Sequence, residues 1–277
     1  MALKNFMTAP KRLAAAVLLL PLFLSSPVIW PTDAGAQKKP KPEDIIERSI
    51  LIYTYGGGRA VLYGIQRNGT LRALIKFFTP EGAREGKSVT KFIRKPKLAE
   101  DLLMIDLELP STRYIIGFDG QETWAIQDGE VQKPPEEAVA AFRSAHEHSY
   151  EALLRYKENG SKLEYVGTNK LGTLEMYIID MTSPSGARTR YEISSKSGRI
   201  IYANYEDSKS TPVKYRLYFK DFKPVQNTLL PHEIQVFQDG NLIEERRLVE
   251  STFNTQLDEK AFKSENANKP PDAAIRP

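Results

Sequence analysis

The 277-residue chain contains no cysteine and only three histidines. The first absence excludes disulfides, thiolate metal sites and lipid attachment at a processed N-terminal cysteine. The second leaves few bases to activate a nucleophile, and no serine sits in a Gly-x-Ser-x-Gly elbow. Long apolar runs are also missing: the stretch Leu13 to Leu24 is twelve residues, against the roughly 20 that cross a bilayer as a helix. No repeat of fixed period is present. A concentrated basic surface is absent too. The formal charge is +4, but three of the 39 basic and one of the 35 acidic residues precede position 37, so the remainder carries only +2. The one dense basic cluster, Lys38, Lys39 and Lys41, lies in a proline-broken segment, which argues against nucleic-acid binding.

What is present begins with a leader. Lys4, Lys11 and Arg12 precede the apolar run, and small residues stand at Ala34 and Ala36. That order predicts a secretory signal peptide over residues 1–36 with cleavage before Gln37. The expected location is the bacterial periplasm, with no membrane span after cleavage. The remaining 241 residues have the length of one all-β domain, and burial without disulfides holds a domain of that size. The expected organisation is a linker at 37–42, one domain at 43–262 and a disordered tail at 263–277.

Within the domain, Asp44, Ile45, Ile46, Ser49, Ile50 and Tyr53 follow a helical period that stops at Gly56-Gly57-Gly58. From Ala60 to Val131 the pattern is extended, with turns expected at Asn68-Gly69, Asp119-Gly120 and Asp128-Gly129. Pro134-Pro135 breaks it, and Glu136 and Glu137 then favour a helix start. Val139, Phe142, His146, Ser149, Leu153 and Tyr156 share one helical stripe, ended by Asn159-Gly160. Strand patterns return from Leu163 to Phe253; Val213, Tyr215, Leu217 and Phe219 alternate with Lys214 and Arg216. The chain therefore reads as mainly β with helical insertions, an antiparallel meander on either side of a central helix.

The chemical motifs fall away one by one. Gly82 to Ser88 has three residues between its glycines where a phosphate loop needs four, and a strand rather than a helix follows. His146 and His148 point apart on a helix, and His232-Glu233 lacks a second histidine one turn on, so no metal is expected. Asp258 and Glu259 are adjacent, pointing apart in a polar segment. No catalytic residue, cofactor or enzyme activity is predicted. The 10% of aromatic residues in an exported, cysteine-free sheet protein suits either an ordinary core or an apolar hollow for acyl chains.

The order of elements, with Phe118-Asp119-Gly120-Gln121-Glu122-Thr123-Trp124, then Leu163 to Gly167, Thr189 to Ile193, Ser197 to Ile201, Leu229 to Ile234 and Leu257 to Phe262, resembles the LolA/LolB-like outer-membrane lipoprotein-sorting proteins. Ser194 and Ser195 stand where that family usually has an aspartate. The resemblance implies an unclosed antiparallel β-barrel capped by α-helices, whose hollow takes the acyl chains of lipoproteins or lipids for transfer to the outer membrane. It also implies inner- and outer-membrane transport components as partners. The residues assigned to lipid contact are Phe142, Leu153 and Leu154 on the covering helix, with Trp124 and Phe219 in the barrel wall. The alternative is a cell-envelope interaction or sensor module whose hollow is filled by its own side chains.

Overall fold

In the computed structural model, residues 39–207 and 212–267 are described. The leader expected over 1–36 and the residues beyond Ala267 lie outside them. Helix α1 (Pro42–Tyr53) starts with proline in its first turn beside Glu43 and Asp44, where the helix dipole favours negative charge. It buries Ile45, Ile46, Ser49, Ile50 and Tyr53. Thr54 ends it: its hydroxyl donates to Ile50 O (2.7 Å) and accepts from Gly58 N (2.8 Å). A second helix, α2 (Gly58–Ile65), occupies residues whose pattern reads as extended, because tertiary packing on α1 decides a segment this short.

Thirteen strands follow in two groups. The first is β1 (Asn68–Thr79), β2 (Gly82–Ile93), β3 (Leu102–Leu109), β4 (Thr112–Phe118), β5 (Thr123–Gln127) and β6 (Glu130–Gln132). Helices α3 (Glu136–Glu147) and α4 (Tyr150–Leu154) intervene. The second group is β7 (Lys162–Leu171), β8 (Leu174–Thr182), β9 (Arg188–Ser194), β10 (Ile200–Glu206), β11 (Lys214–Val225), β12 (Thr228–Gln238) and β13 (Asn241–Phe253), with a short helix α5 (Ser264–Ala267) near the end. Asn68-Gly69 opens β1 rather than forming a turn. Asp128-Gly129 and Asp239-Gly240 do turn the chain, all four residues at positive φ (49°, 97°, 48° and 84°), as tight hairpins require.

The strands form one antiparallel sheet in the order β6-β5-β4-β3-β2-β1-β13-β12-β11-β10-β9-β8-β7. The first and last strands of the sequence pair at its centre, Ala73 opposite Leu248 and Ile75 opposite Arg246. The edges are β6 and β7, which do not pair with each other, so the barrel is unclosed. One face of the sheet contributes Phe92, Leu103, Ile116, Ile179, Tyr191, Ile193, Ala203 and Phe219 to a single apolar cluster with α1, α2, α3 and α4. A sheet whose distant strands meet the same helices must wrap around them.

The outer face carries a second cluster. Ile93, Leu102, Met104, Ile115, Trp124 and Ile126 are covered there by Leu257, Phe262 and Ala267 of the C-terminal segment. Trp124 Nε1 donates to Phe262 O (2.9 Å). Gly117, paired with Trp124 across the strands, leaves the room: a Cβ there would lie 2.4 Å from the indole. The tail expected to be disordered from Lys263 is therefore helical through Ala267, which is buried. Because Phe262 is fully buried, Phe262→Ala is expected to cost about 3–5 kcal/mol, measured by urea unfolding. A loss under about 1 kcal/mol would show that the strap does not hold this face.

Candidate functional site

The link from β6 to β7 has to travel from one edge of the sheet to the other, and α3 and α4 make that journey across the inner face. They are held very differently. Ser149 breaks the single helix expected here: its side chain accepts from Ala152 N (3.2 Å), the signature of a helix N-cap, and donates to His146 O (2.8 Å). After the break, α4 buries Tyr150, Ala152, Leu153 and Leu154. Glu151 pairs with the buried Arg94 (2.7 Å). Arg155, just past α4, grips the buried Asp101 with both guanidinium nitrogens, Nη2 to Oδ1 at 3.0 Å, and donates to Lys95 O (2.7 Å). Arg94 also donates to Gln66 Oε1 (3.0 Å), which in turn reaches Thr228. On the other side Arg59 ties Glu47 to Glu158, both at 2.8 Å.

Before the break, α3 buries one residue, Phe142, and its two sides line two hollows. Phe142, Ala145 and His146 face a small inner cavity of about 170 Å³ against Leu71, Leu103, Ile105, Ile234 and Leu248 of the sheet. Ala140, Ala141, Ser144, Glu147 and His148 border a half-open cleft of about 1600 Å³, larger than the ~300–1,000 Å³ of most small-molecule pockets. Strand alternation divides the sheet side of this cleft. Tyr205 and Tyr215 share the inner face with His148, whereas Tyr202, Asn204, Arg216 and Tyr218 take the alternate positions. The cleft therefore runs around the rim of β8–β12 from one face to the other.

Its lining is aromatic and mixed in charge rather than purely apolar, with arginines set among carboxylates such as Glu147 and Asp180. His148 stacks on Tyr205 (centroids 3.8 Å), and Tyr205 on Tyr215 (5.1 Å). On the other face, Arg216 lies over Tyr202 (3.8 Å), with Tyr218 beside it at 4.7 Å. Arg216 also reaches Glu192 (3.1 Å), while Arg190 forms a two-bond fork on Asp180 (2.7 and 2.8 Å).

Comparison with known proteins turns on this architecture, since no family model matches the chain. No curated protein matches it by sequence either. Among solved structures, a LolA superfamily protein from Nitrosomonas europaea aligns over 80% of this chain and 97% of its own, with TM-score 0.56 and 10% identity. A DUF1329 family protein from Desulfovibrio piger aligns over 80% and 97%, with TM-score 0.55 and 12% identity. A putative outer membrane lipoprotein-sorting protein domain from Vibrio parahaemolyticus aligns over 73% and 92%, with TM-score 0.52 and 12% identity. The chain has the LolA-like fold.

In this LolA-like frame the five residues assigned to lipid contact scatter. Phe142 lines the inner cavity. Leu153, Leu154 and Phe219 are buried in the main core, where Phe219 packs edge-on against Tyr150 (5.5 Å). Trp124 lies on the opposite face beneath the C-terminal strap, so it is no part of the inner wall. Burial is the reason: the greasiest positions are consumed by the core, and the open cleft selects side chains with an apolar body and a polar tip. The cleft instead carries His148, Tyr205 and Tyr215, which the sequence did not group together, although alternation along Lys214 to Phe219 puts Tyr215 on the inner face.

The two histidines near the helix break do different work. His146 Nε2 lies 3.1 Å from Asp101 Oδ2, and His148 Nδ1 lies 2.6 Å from Thr189 Oγ1. Burial pushes Asp101 up, but hydrogen bonds from His146 and Arg155 outweigh it, and the carboxyl sits below its usual value. Burial lowers His148 from its ordinary 6.5 to about 4, the charge of Glu147 opposing only weakly. Between those values the unfolded chain binds a proton that the folded chain refuses, so the stability contributed by neutral His148 is complete above pH 6.5 and falls as the pH drops toward 4. The contribution of Asp101, a depressed carboxylate, is lost only below its ordinary 3.8. Replacing His148 with Phe, which keeps the ring stack, is expected to remove about one proton from the pH dependence of unfolding across this window. An unchanged slope would place the acid sensitivity elsewhere.

Proposed function

We propose that the chain is an exported carrier of lipidated or acylated cargo in the cell envelope, with α3 as the movable cover and no chemistry of its own. The observation that carries this reading is the position of α3: it separates the two hollows and contributes a single buried side chain. Displacing it joins the inner cavity to the rim cleft while α4 stays pinned by Arg155, Glu151 and four buried side chains. Each methylene moved from water into such a space contributes about 0.8 kcal/mol, so one acyl chain supplies ample affinity. The tyrosines and ion pairs of the rim then suit the polar end of the same cargo. Among the described residues no helix is long and apolar enough to cross a membrane, and the LolA-like fold supports a carrier role.

Incubation of the chain from Lys39 onward with a synthetic triacylated lipopeptide, followed by native mass spectrometry, tests the proposal. One bound lipopeptide per chain is expected. Ala145→Phe, which fills the inner cavity from α3, is expected to lower its affinity by about tenfold or more, the loss of roughly two buried methylenes. A chain that stays empty, or an Ala145→Phe variant that binds as well as the parent, would contradict acyl binding in this space. Leu153 and Leu154 are unsuited to the test, because a charge there strikes the core.

A further inference from the structure

The end of the sheet away from the rim cleft carries a second surface, which shares no residue with the two hollows. Antiparallel order brings the turns after Leu171, Ser194 and Val225 to this end. The C-terminus of α1 joins them there: Arg48 donates to Ser195 O (3.1 Å) and Lys196 O (3.2 Å), and the side chain of Ile52 lies against Gly198. Four large apolar side chains are exposed in this region: Leu51 (47%), Ile52 (36%) and Tyr55 (58%) at the end of α1, and Leu171 (57%) at the first turn. Leu51 and Ile52 lie in the last turn of α1, and Tyr55 follows two residues past its end. Tyr55 is held outward at φ 48°, immediately before three glycines.

Around them stand both signs of charge, with Asp221 and Glu175 on the acidic side and an excess of cations. Arg48, Lys196, Arg199 and Lys223 are exposed. Lys223 is paired with Asp221 (2.7 Å), and Lys170 stands opposite Glu175 across the turn. Arg48, Lys196 and Arg199 have no carboxylate partner among the described residues; Arg199 lies over the Phe222 ring (5.3 Å). Exposed Leu, Ile and Tyr beside three cations without a carboxylate partner among the described residues, Arg48, Lys196 and Arg199, match the two layers of a membrane interface, acyl boundary below and anionic headgroups above.

We propose that this end of the molecule is a docking surface for an anionic lipid bilayer, with Leu51, Ile52 and Tyr55 entering the interface and Arg48, Lys196 and Arg199 holding the headgroups. Such docking leaves the rim cleft unobstructed, and it does not require acyl binding there. The test is sedimentation of the chain from Lys39, a compact unit by itself, with vesicles of phosphatidylglycerol and phosphatidylethanolamine, against vesicles of phosphatidylcholine alone. Binding to the anionic vesicles is expected, and it weakens at about 0.5 M salt, where screening is short-ranged. The pair Leu51→Ser with Tyr55→Ser, and separately Lys196→Glu with Arg199→Glu, should each weaken it about tenfold. Lipopeptide binding and unfolding midpoint should stay at parental values in both. No sedimentation with anionic vesicles, equal sedimentation with neutral ones, or binding untouched by both pairs would overturn the proposal. Loss of lipopeptide binding with vesicle binding intact would count against the cargo reading alone.

Discussion

The pairing of β1 with β13 is the constraint on which the rest of this molecule depends. It places the two ends of the strand succession at the centre of the sheet and pushes the middle of the chain, β6 and β7, to opposite edges. The connection between those edges must cross one face of the sheet. In crossing, it becomes the cover of that face, so the helical layer follows from the topology. The curl of the sheet and the placement of α1 and α2 serve the same end, because a wrapped sheet needs something apolar to wrap around.

The cover is divided by energetics. On the α4 side of the break at Ser149, two buried ion pairs and four buried side chains fix the chain. A buried pair adds little by itself, but breaking one leaves an unpaired charge inside the protein at a cost of about 3–5 kcal/mol, so it acts as a pin. On the α3 side, Phe142, His146 on the buried Asp101, the His148 stack and the contacts of Glu147 with Ser183 and Ser185 hold the helix. Local stability follows buried contact, so the α4 half is the more deeply fixed of the two.

The sequence made much of the fold legible. The period ending at Gly56 marks α1, and Asp128-Gly129 and Asp239-Gly240 mark hairpins because few residues tolerate their backbone. Alternation in Lys214 to Phe222 marks a half-exposed strand. Helix α2 was illegible because eight apolar-rich residues satisfy a strand pattern as well as a helix. The break between α3 and α4 was hidden by a stripe that continues through it, although Ser149 carries a capping signal. The site was least legible. Leu153, Leu154, Phe219 and Trp124 are the kind of residues an acyl cavity would use, but hydrophobicity does not say which core a side chain joins. Trp124 joined the outer one, through a strap close to 140 residues downstream.

Hydrogen exchange on the chain, with and without the triacylated lipopeptide, tests the central claim most directly, because it reads the two halves of the cover separately. If α3 is the movable half, its amides exchange well ahead of those of α4 in the free protein, and lipopeptide alters exchange in α3 and the rim strands while α4 stays unchanged. Equal, slow exchange in α3 and α4, unmoved by the lipopeptide, would contradict it and leave the helices as one fixed layer over a filled core.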